Sequence, residues 1–213
     1  MDNAERRVRV ATLLRELGHQ FVGHEVSDDE LDAIVAEVQG LLDRVVRAPV
    51  RQRSVPSAGA EGFKMTVPSD GQLERHQLFA DSVVSGGANP MGLGAYLWRE
   101  GDVAVMEVTL GNAFEGAPGR SHGGVVASLI DETMGLVMGM QGTLAFTAQL
   151  DITYRAPTPL NEPITARAWL ESRSGRKLTI KATVSSEEGM VAEATALFIE
   201  VDPATFLEHI IDA

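Results

Sequence analysis

The chain has 213 residues, a formal net charge of -12 and a hydrophobic fraction of 44%, enough apolar material for one core with an extension. The acidic excess argues against nucleic acid or an anionic membrane as the main partner, because both favour basic surfaces. Cysteine is absent, which excludes disulfides and thiolate chemistry. The first residues are charged and no apolar segment typical of a secretory signal follows them, so we expect a cytoplasmic protein.

Two amphipathic helices are predicted in the first third of the chain. Helical spacing over residues 5–17 predicts the first, which Gly18 is expected to end. The second begins with a capping box, with Ser27 as N-cap and Glu30 at the third helical position, and stops before Pro49. It carries an apolar stripe of Leu31, Ile34, Val35, Val38, Leu41, Leu42, Val45 and Val46. We expect this stripe to pack on the rest of the chain or on a second copy.

A segment rich in Pro, Ser, Gly and Ala, residues 51–70, is predicted to be a linker or surface loop. The predicted domains are therefore an N-terminal helical extension with its linker, residues 1–75, and a second domain, residues 76–213. His19 and His24 lie between the predicted helices, but two histidines five residues apart do not share a helix face. No metal site is predicted.

The remainder of the chain has the pattern of an α+β domain. A hairpin is predicted around Glu100-Gly101-Asp102, with Ala104, Met106, Val108 and Leu110 facing the core. After one apolar helix, short turns separate four further strands, predicted at residues 146–156, 163–171, 177–187 and 190–201. This order favours an antiparallel sheet wrapped around one buried helix.

The central helix, residues 125–140, is apolar on all sides apart from Asp131 and Glu132, and it is interrupted and shorter than the roughly 20 apolar residues of a membrane span. We expect it to be buried all round. A buried unpaired charge costs several kcal/mol or neutralises by a pKa shift. The two carboxylates are therefore paired elsewhere, lie at a subunit edge, or serve chemistry.

The start of this helix, Ser121-His122-Gly123-Gly124, is equally informative. Two glycines at a helix N-terminus leave backbone amides uncovered, and with the helix dipole such amides form an anion or oxyanion site. Asp131 lies about two turns after Gly124 and on the same face. An oxyanion donor and a carboxylate facing one crevice are the minimum equipment for attack on a carbonyl.

Three segments resemble the hot-dog-fold acyl-CoA thioesterases of the phenylacetate-pathway (PaaI-like) type, within the 4-hydroxybenzoyl-CoA thioesterase superfamily. They are Pro118–Gly124 with Ala127, Asp131 and Glu132; Thr147–Pro157; and Asn89–Gly94. The resemblance covers roughly residues 78–203 and implies a hot-dog fold, an antiparallel sheet wrapped around a central buried helix, behind an N-terminal helical extension.

The resemblance implies hydrolysis of an acyl-CoA thioester to a carboxylic acid and free CoA, without metal or redox cofactor. Such proteins form homodimers or dimers of dimers, and Asp131 is expected to face Gly123 of the other subunit. Asp131 would act as nucleophile or as general base for water; both routes are chemically sound. Glu132 is the competing carboxylate, about 100° around the helix, with pairing across a subunit boundary as its other role.

The resemblance assigns further residues to the site. Gly123 supplies the oxyanion amide, with His122 and Gly124 beside it, and Thr147 places a hydroxyl near the thioester, unless it is an ordinary strand threonine. His122 is either a structural histidine at the loop–helix junction, the role that we favour, or a direct participant in catalysis. Arg173, Arg176 and Lys177 form the densest basic group of the acidic domain. They are candidates for the CoA phosphates, or a solvated basic hairpin.

One position departs from the family pattern. The family often carries Asn or Gln six residues before the histidine, where this chain has Gly116. Glu115 or Asn112 is a candidate substitute. Two rival functions remain open. The missing polar group at Gly116 favours a non-catalytic acyl-CoA binding or sensing module. The other rival is a hot-dog dehydratase, but the paired His and acid of such an enzyme are not visible in the expected spacing.

Overall fold

The computed structural model describes residues 1–51, 67 and 80–202. Their order is two helices, two strands, one helix and four strands. The bounds are α1 Asn3–Gly23, α2 Asp28–Val46, β1 Tyr96–Glu100, β2 Val103–Thr109, α3 Gly123–Met140, β3 Ala145–Tyr154, β4 Pro163–Ser174, β5 Lys177–Ser186 and β6 Gly189–Glu200. A short 3₁₀ turn, Asn112–Phe114, lies between β2 and α3.

The six strands form one antiparallel sheet in the order β1-β2-β4-β5-β6-β3. Alternate residues face the core, as period-two strands require. On β5 these are Leu178, Ile180, Ala182 and Val184, each at most 2% exposed, and the predicted core face of β2 is also buried. The predicted α+β hot-dog fold with an N-terminal helical extension is confirmed.

Helix α3 packs against this sheet and supplies the centre of the core. Its 18 residues have a mean hydropathy of 1.2, enough by length and composition to cross a membrane, but half of the helix is buried inside the domain. The predicted burial on all sides is wrong for a single chain. A stripe of Gly124, Ala127, Ser128, Asp131 and Gly135 is not buried, because the sheet covers only one side of the helix. This open stripe carries the candidate catalytic carboxylate.

Helix α1 does not end at Gly18 as predicted; it continues to Gly23. A glycine inside a helix costs about 1 kcal/mol relative to alanine, and contacts on both sides of Gly18 offset that cost. Before it, Arg15 donates to the carbonyl oxygen of Asn89 at 2.5 Å. After it, the His19 ring packs edge-to-face on Phe114 with centroids 5.0 Å apart. Tertiary docking therefore overrides the local stop signal.

The docking of α1 should depend on pH through His19. Its Nδ1 accepts the Ala113 N–H at 3.1 Å, and burial lowers the pKa of His19 below its usual 6.5, with Arg15 adding to and Glu16 opposing the shift. The folded state thus favours the neutral ring. The contribution of His19 is complete above pH 6.5 and is lost as the pH falls through the lowered folded pKa.

This is measured as hydrogen exchange of the α1 amides, corrected for intrinsic rates, over a pH series that descends from about 7.5 through the lowered pKa of His19. The control is His19→Asn, whose side-chain oxygen can accept the same bond without titrating. Protection of α1 should fall at the lower pH in the wild type and stay level in the variant. Equal behaviour of the two proteins would contradict the assignment.

Helix α2 has the predicted N-cap, because Ser27 accepts the Glu30 N–H at 3.4 Å, and it ends at Val46, before Pro49. Only this half of the predicted capping box forms among the described residues. No residue of α2 is buried, so its apolar stripe does not cover the described part of the sheet domain. Most of the predicted linker and the boundary between residues 75 and 76 lie outside the described residues.

Candidate active site

The N-terminus of α3 leaves one backbone amide free. His122 is the N-cap, and its Nδ1 accepts the Gly124 N–H at 2.9 Å. Its carbonyl oxygen accepts from Val125 at 3.0 Å and from Val126 at 3.4 Å. The N–H of Gly123 has no hydrogen-bond partner among the described residues. The positive end of the helix dipole therefore presents one amide to a ligand.

His122 thus has a structural task at the loop–helix junction, one of the two roles open from the sequence. Its Nδ1 carries no proton while it accepts the Gly124 amide, so the ring proton lies on Nε2. Because the Gly124 N–H is used in this bond, the two glycines differ in role. Gly123 offers a free donor to a ligand, and Gly124 does not.

Tyr154, at the end of β3, holds the peptide group between Gly123 and Gly124. Its hydroxyl donates to the Gly123 carbonyl oxygen at 2.7 Å, and burial raises the pKa of Tyr154. Sequence reasoning gave this tyrosine no role, since nothing local signals the contact. A cleft of about 390 Å³ opens beside it, lined by Arg120, Ser121, Gly123 and residues 154–158. Within it, the buried Ser121 hydroxyl has no partner among the described residues.

Asp131 lies in the middle of α3, half-buried, with Thr147 of β3 beside it. The Thr147 hydroxyl donates to Asp131 Oδ1 at 2.7 Å, which brings together two residues that the sequence singled out separately. The bond orients the carboxylate and leaves Oδ2 without a described partner.

A β-bulge makes this contact possible. The pairing of β3 with β6 shifts register between Thr147 and Gln149. Thr147 and Tyr154 are seven residues apart, so a regular strand would turn them to opposite faces. The extra residue in the bulge brings the side chains of Thr147 and Tyr154 to the same face of β3, where both contact α3.

Glu132 is held by the loop that precedes β1. Its Oε1 accepts the Ser85 N–H at 3.0 Å and the Ser85 hydroxyl, and its Oε2 accepts the Ser82 hydroxyl. Ser85 is only 3% exposed. Both oxygens are therefore engaged in tying this loop to α3, which favours a structural role for Glu132.

Replacing Glu132 with Ala should lower the free energy of unfolding by about 1–3 kcal/mol, because the amide and hydroxyl of the buried Ser85 lose their hydrogen-bond acceptor. Urea denaturation measures the change. The matched control is the neighbouring Asp131→Asn, which keeps an acceptor for Thr147 and should change stability much less. Equal losses for the two variants would contradict the loop-anchoring role.

The basic turn between β4 and β5 lies at the other end of the sheet from Gly123. Arg173 pairs with Glu200 at 2.6 Å, and Arg176 Nε donates to the Glu200 carbonyl oxygen at 2.9 Å. Glu200 is opposite Ala145, the first residue of β3. Within one chain the structure does not bring these cations, or Lys177 beside them, to the start of α3.

The position that departs from the family pattern has no room for a side chain. A Cβ at Gly116 would lie 2.7 Å from His122 Cα. Of the two suggested substitutes, Glu115 accepts the Gly119 N–H at 2.7 Å and Asn112 accepts from the Asn161 side chain at 2.8 Å. Both help to shape the loops. Among the described residues, no three His, Asp or Glu side chains cluster closely enough to hold a metal ion.

Residues 119–193 match the family model of the thioesterase superfamily. Over 91 residues the chain is 43% identical to the acyl-coenzyme A thioesterase THEM4 of Mus musculus, covering 42% of this chain and 39% of the mouse protein. The THEM4 of Bos taurus is 37% identical over 95 residues, 44% of this chain and 39% of that protein. The chain thus spans about two fifths of the length of these curated relatives.

Among solved structures, the thioesterase superfamily protein RHA08564 has a TM-score of 0.74 at 24% identity, covering 91% of this chain and 90% of that one. This likeness shows the fold. The E. coli PaaI protein from the phenylacetic acid degradation operon is 20% identical, with a TM-score of 0.48 over 50% of this chain and 83% of PaaI.

An antiparallel sheet around a central helix, with a free amide at the helix start and a carboxylate two turns later, defines a hot-dog domain. The described chain has the hot-dog fold, its residues 119–193 match the model of the thioesterase superfamily, and its matched relatives are named acyl-coenzyme A thioesterases.

Proposed function

We propose that the protein hydrolyses acyl-CoA thioesters to a carboxylic acid and free CoA, without metal or redox cofactor. The observation that carries the proposal is the Asp131 carboxylate, held by Thr147 at 2.7 Å on the open stripe of α3. A carboxylate oriented by a hydroxyl, with its second oxygen free, suits the activation of water or direct attack on a carbonyl. The matched curated relatives bear the name of the same activity.

The reaction can follow either of two balanced routes. In the first, Asp131 takes a proton from water, and the hydroxide adds to the thioester carbonyl. In the second, the carboxylate itself adds to the carbonyl, and water later hydrolyses the resulting anhydride. In both routes the tetrahedral oxyanion collapses with cleavage of the C–S bond, and the CoA thiolate leaves and is protonated. The Gly123 N–H is the donor placed for the oxyanion.

One chain does not assemble this site. Gly123 and Asp131 are eight residues apart on α3, about 12 Å along the helix axis. A carbonyl group that contacts both a donor and an attacking oxygen needs each within about 3 Å. We therefore propose a homodimer in which Asp131 of one subunit faces Gly123 of the other.

The edge strand β3 supplies the means of pairing. It pairs only with β6 in the described chain, so one side of a ten-residue strand is free to bond another strand. If β3 pairs antiparallel with its copy around a two-fold axis near Leu150, Thr147 of one subunit comes opposite Tyr154 of the other. Thr147 contacts Asp131 and Tyr154 contacts Gly123. The pairing would thus join the carboxylate of one subunit to the oxyanion donor of its partner.

Mixing two inactive variants tests this shared site. Asp131→Asn and Gly123→Pro each remove one component, so each homodimer should be inactive. Refolded together, half of the dimers are mixed and carry one intact site out of two, which restores about a quarter of the wild-type rate. The control is each variant refolded alone. Absence of recovery, with mixed dimers verified by mass, would place both groups in the same subunit.

The basic turn gives the proposed substrate a second contact. Arg173, Arg176 and Lys177 would bind CoA phosphates, since arginine pairs with phosphate oxygens through two parallel bonds. The turn lies at the end of the sheet where β3 begins, the end that the β3 pairing turns toward the partner's Gly123. Assembly into dimers of dimers is also proposed.

A second candidate is a non-catalytic acyl-CoA binding module. The observation that favours it is Gly116, where backbone packing excludes the polar side chain that often contacts the thioester in the resembled family.

The experiment that separates the two measures release of free thiol from short, long and aromatic acyl-CoAs, in parallel with calorimetric binding of the same compounds. Since the chain has no cysteine, every thiol detected comes from CoA. Turnover supports the thioesterase. Binding without turnover supports the binding module, and neither binding nor turnover contradicts both.

A further inference from the structure

The two N-terminal helices each carry an apolar stripe that the described residues leave open. On α1 the stripe consists of residues that are 43–61% exposed: Val10, Leu13, Leu14, Leu17 and Phe21. On α2 it includes residues that are 43–72% exposed: Val35, Val38, Leu41, Leu42, Val45 and Val46. The opposite face of α1, with Ala11, Arg15 and His19, already docks on the sheet domain. Contiguous exposed apolar surface of this kind marks an interaction site.

The two stripes have matching periodicity. Residues Val10, Leu13, Leu14, Leu17 and Phe21 recur 21 positions later as Leu31, Ile34, Val35, Val38 and Leu42. The repeat averages 3.5 residues, the spacing with which the side chains of two helices interlock along a shared seam. Each stripe is therefore a suitable cover for the other.

The stripes do not cover each other within one chain. Only residues 24–27 connect α1 to α2, a length that suits an antiparallel helical hairpin. Such a hairpin would bury both stripes, yet the α1 stripe and the α2 stripe from Val35 onward stay exposed. Leu31 and Ile34 are only half-buried, and α2 has no buried residue.

Charge explains why the hairpin is unfavourable. Four arginines and two glutamates give α1 a formal charge of +2, whereas six acidic residues and one arginine give α2 a charge of -5. The arginines cluster early in α1, at Arg6, Arg7 and Arg9, and the acids cluster early in α2, at Asp28, Asp29, Glu30 and Asp32. A hairpin would place the three arginines beside Arg44 and Arg47. A parallel pair instead places them beside the acidic cluster.

Parallel pairing cannot occur within one chain. The start of α2 would have to return to the start of α1, about 30 Å away along a 21-residue helix, whereas four extended residues span at most about 14 Å. The partner that supplies a complementary helix in the required direction is a second copy of this chain.

We propose that α1 of one copy packs in parallel on α2 of a second copy, with Val10 beside Leu31 and Leu17 beside Val38. Two-fold symmetry makes the contact twice and buries all four stripes in one helical layer. This interface is separate from the β3 edge and does not depend on the proposed hydrolysis.

Engineered cysteines test the pairing, because the natural chain has none and each disulfide is therefore unambiguous. The test variant is Val10→Cys with Leu31→Cys. The matched control is Val10→Cys with Leu41→Cys, the pair that a hairpin would bring together, with residue 41 about 15 Å along α2 from residue 31. Both are oxidised with diamide in the full-length protein and separated on non-reducing gels. Helical content and thermal unfolding verify the fold, and the three single-cysteine variants complete the set.

The expected result is a disulfide-linked dimer for the first pair and little product for the control. Reversing Arg6, Arg7 and Arg9 to Glu should slow cross-linking about tenfold, and also reversing Asp28, Asp29 and Asp32 to Lys should restore it. A disulfide closed within one chain by the control would overturn the proposal in favour of a hairpin. Equal cross-linking of Leu31→Cys alone would replace it with α2–α2 pairing. No cross-link in either pair would show that another segment or protein covers the stripes.

Discussion

Replacing Asp131 with Asn should reduce acyl-CoA hydrolysis by at least about a hundredfold, because an amide neither accepts a proton from water nor attacks a thioester at neutral pH. The substitution keeps the size of the side chain and an oxygen that can accept the Thr147 hydroxyl, so the local structure should persist. Release of free thiol with saturating acyl-CoA measures the effect, and unchanged urea denaturation shows that the variant is folded.

The neighbouring carboxylate provides the matched comparison. Glu132→Gln lies one residue away on the same helix and should lose stability rather than turnover, because both Glu132 oxygens bind the loop at Ser82 and Ser85. Thr147→Val should have a turnover between those of Asp131→Asn and Glu132→Gln, since the Asp131 carboxylate remains but loses the hydroxyl that orients it. Full turnover in Asp131→Asn together with loss in folded Glu132→Gln would transfer the catalytic role to Glu132.

Replacing Gly123 with Pro should lower the turnover number by about 10² to 10³, the usual effect of removing one oxyanion donor. Proline deletes the free N–H and nothing else from the backbone. Position 123 is the first residue of α3, where proline is well tolerated. His122 has φ -64° and ψ 131°, a conformation that a following proline permits.

The control for this variant is Gly123→Ala. Either new side chain places a Cβ about 3.2 Å from the Tyr154 hydroxyl, so both variants disturb that contact alike. Only proline removes the amide hydrogen. The ratio of the two rates therefore reports the donor itself, and a ratio near one would show that Gly123 does not stabilise the oxyanion.

The fold could be predicted from the sequence wherever the signal was local and periodic. The alternation along β2 placed Ala104, Met106, Val108 and Leu110 in the core. Ser27 fixed the start of α2 through its own capping bond. The length of α1 could not be predicted in this way, because Gly18 is a valid local stop signal and the contacts that override it come from residues about 70–95 positions later.

In the candidate site, too, the features with a local sequence signal could be predicted, and those that depend on long-range contacts could not. Motif spacing singled out Asp131, Gly123 and Thr147, and the structure brings Asp131 and Thr147 into contact. The bulge in β3 has no sequence signal, since no glycine or proline marks it, and it is visible only in the register with β6. The roles of Tyr154 with Gly123, and of Ser82 and Ser85 with Glu132, depend on long-range contacts that no local pattern contains.

The contacts of the segment from Asp81 to Asn89 determine whether the N-terminal helices can be omitted when the protein is expressed. Arg15 donates to the carbonyl oxygens of Gly87 and Asn89 from one side, and Glu132 binds Ser82 and Ser85 from the other. Cutting away the first fifty residues would remove the first attachment and uncover the Phe114 ring. A shortened protein would retain the sheet, but this segment would keep only its hydrogen bonds to Glu132, the residue that follows Asp131 on α3. Expression plasmids should therefore keep the helices.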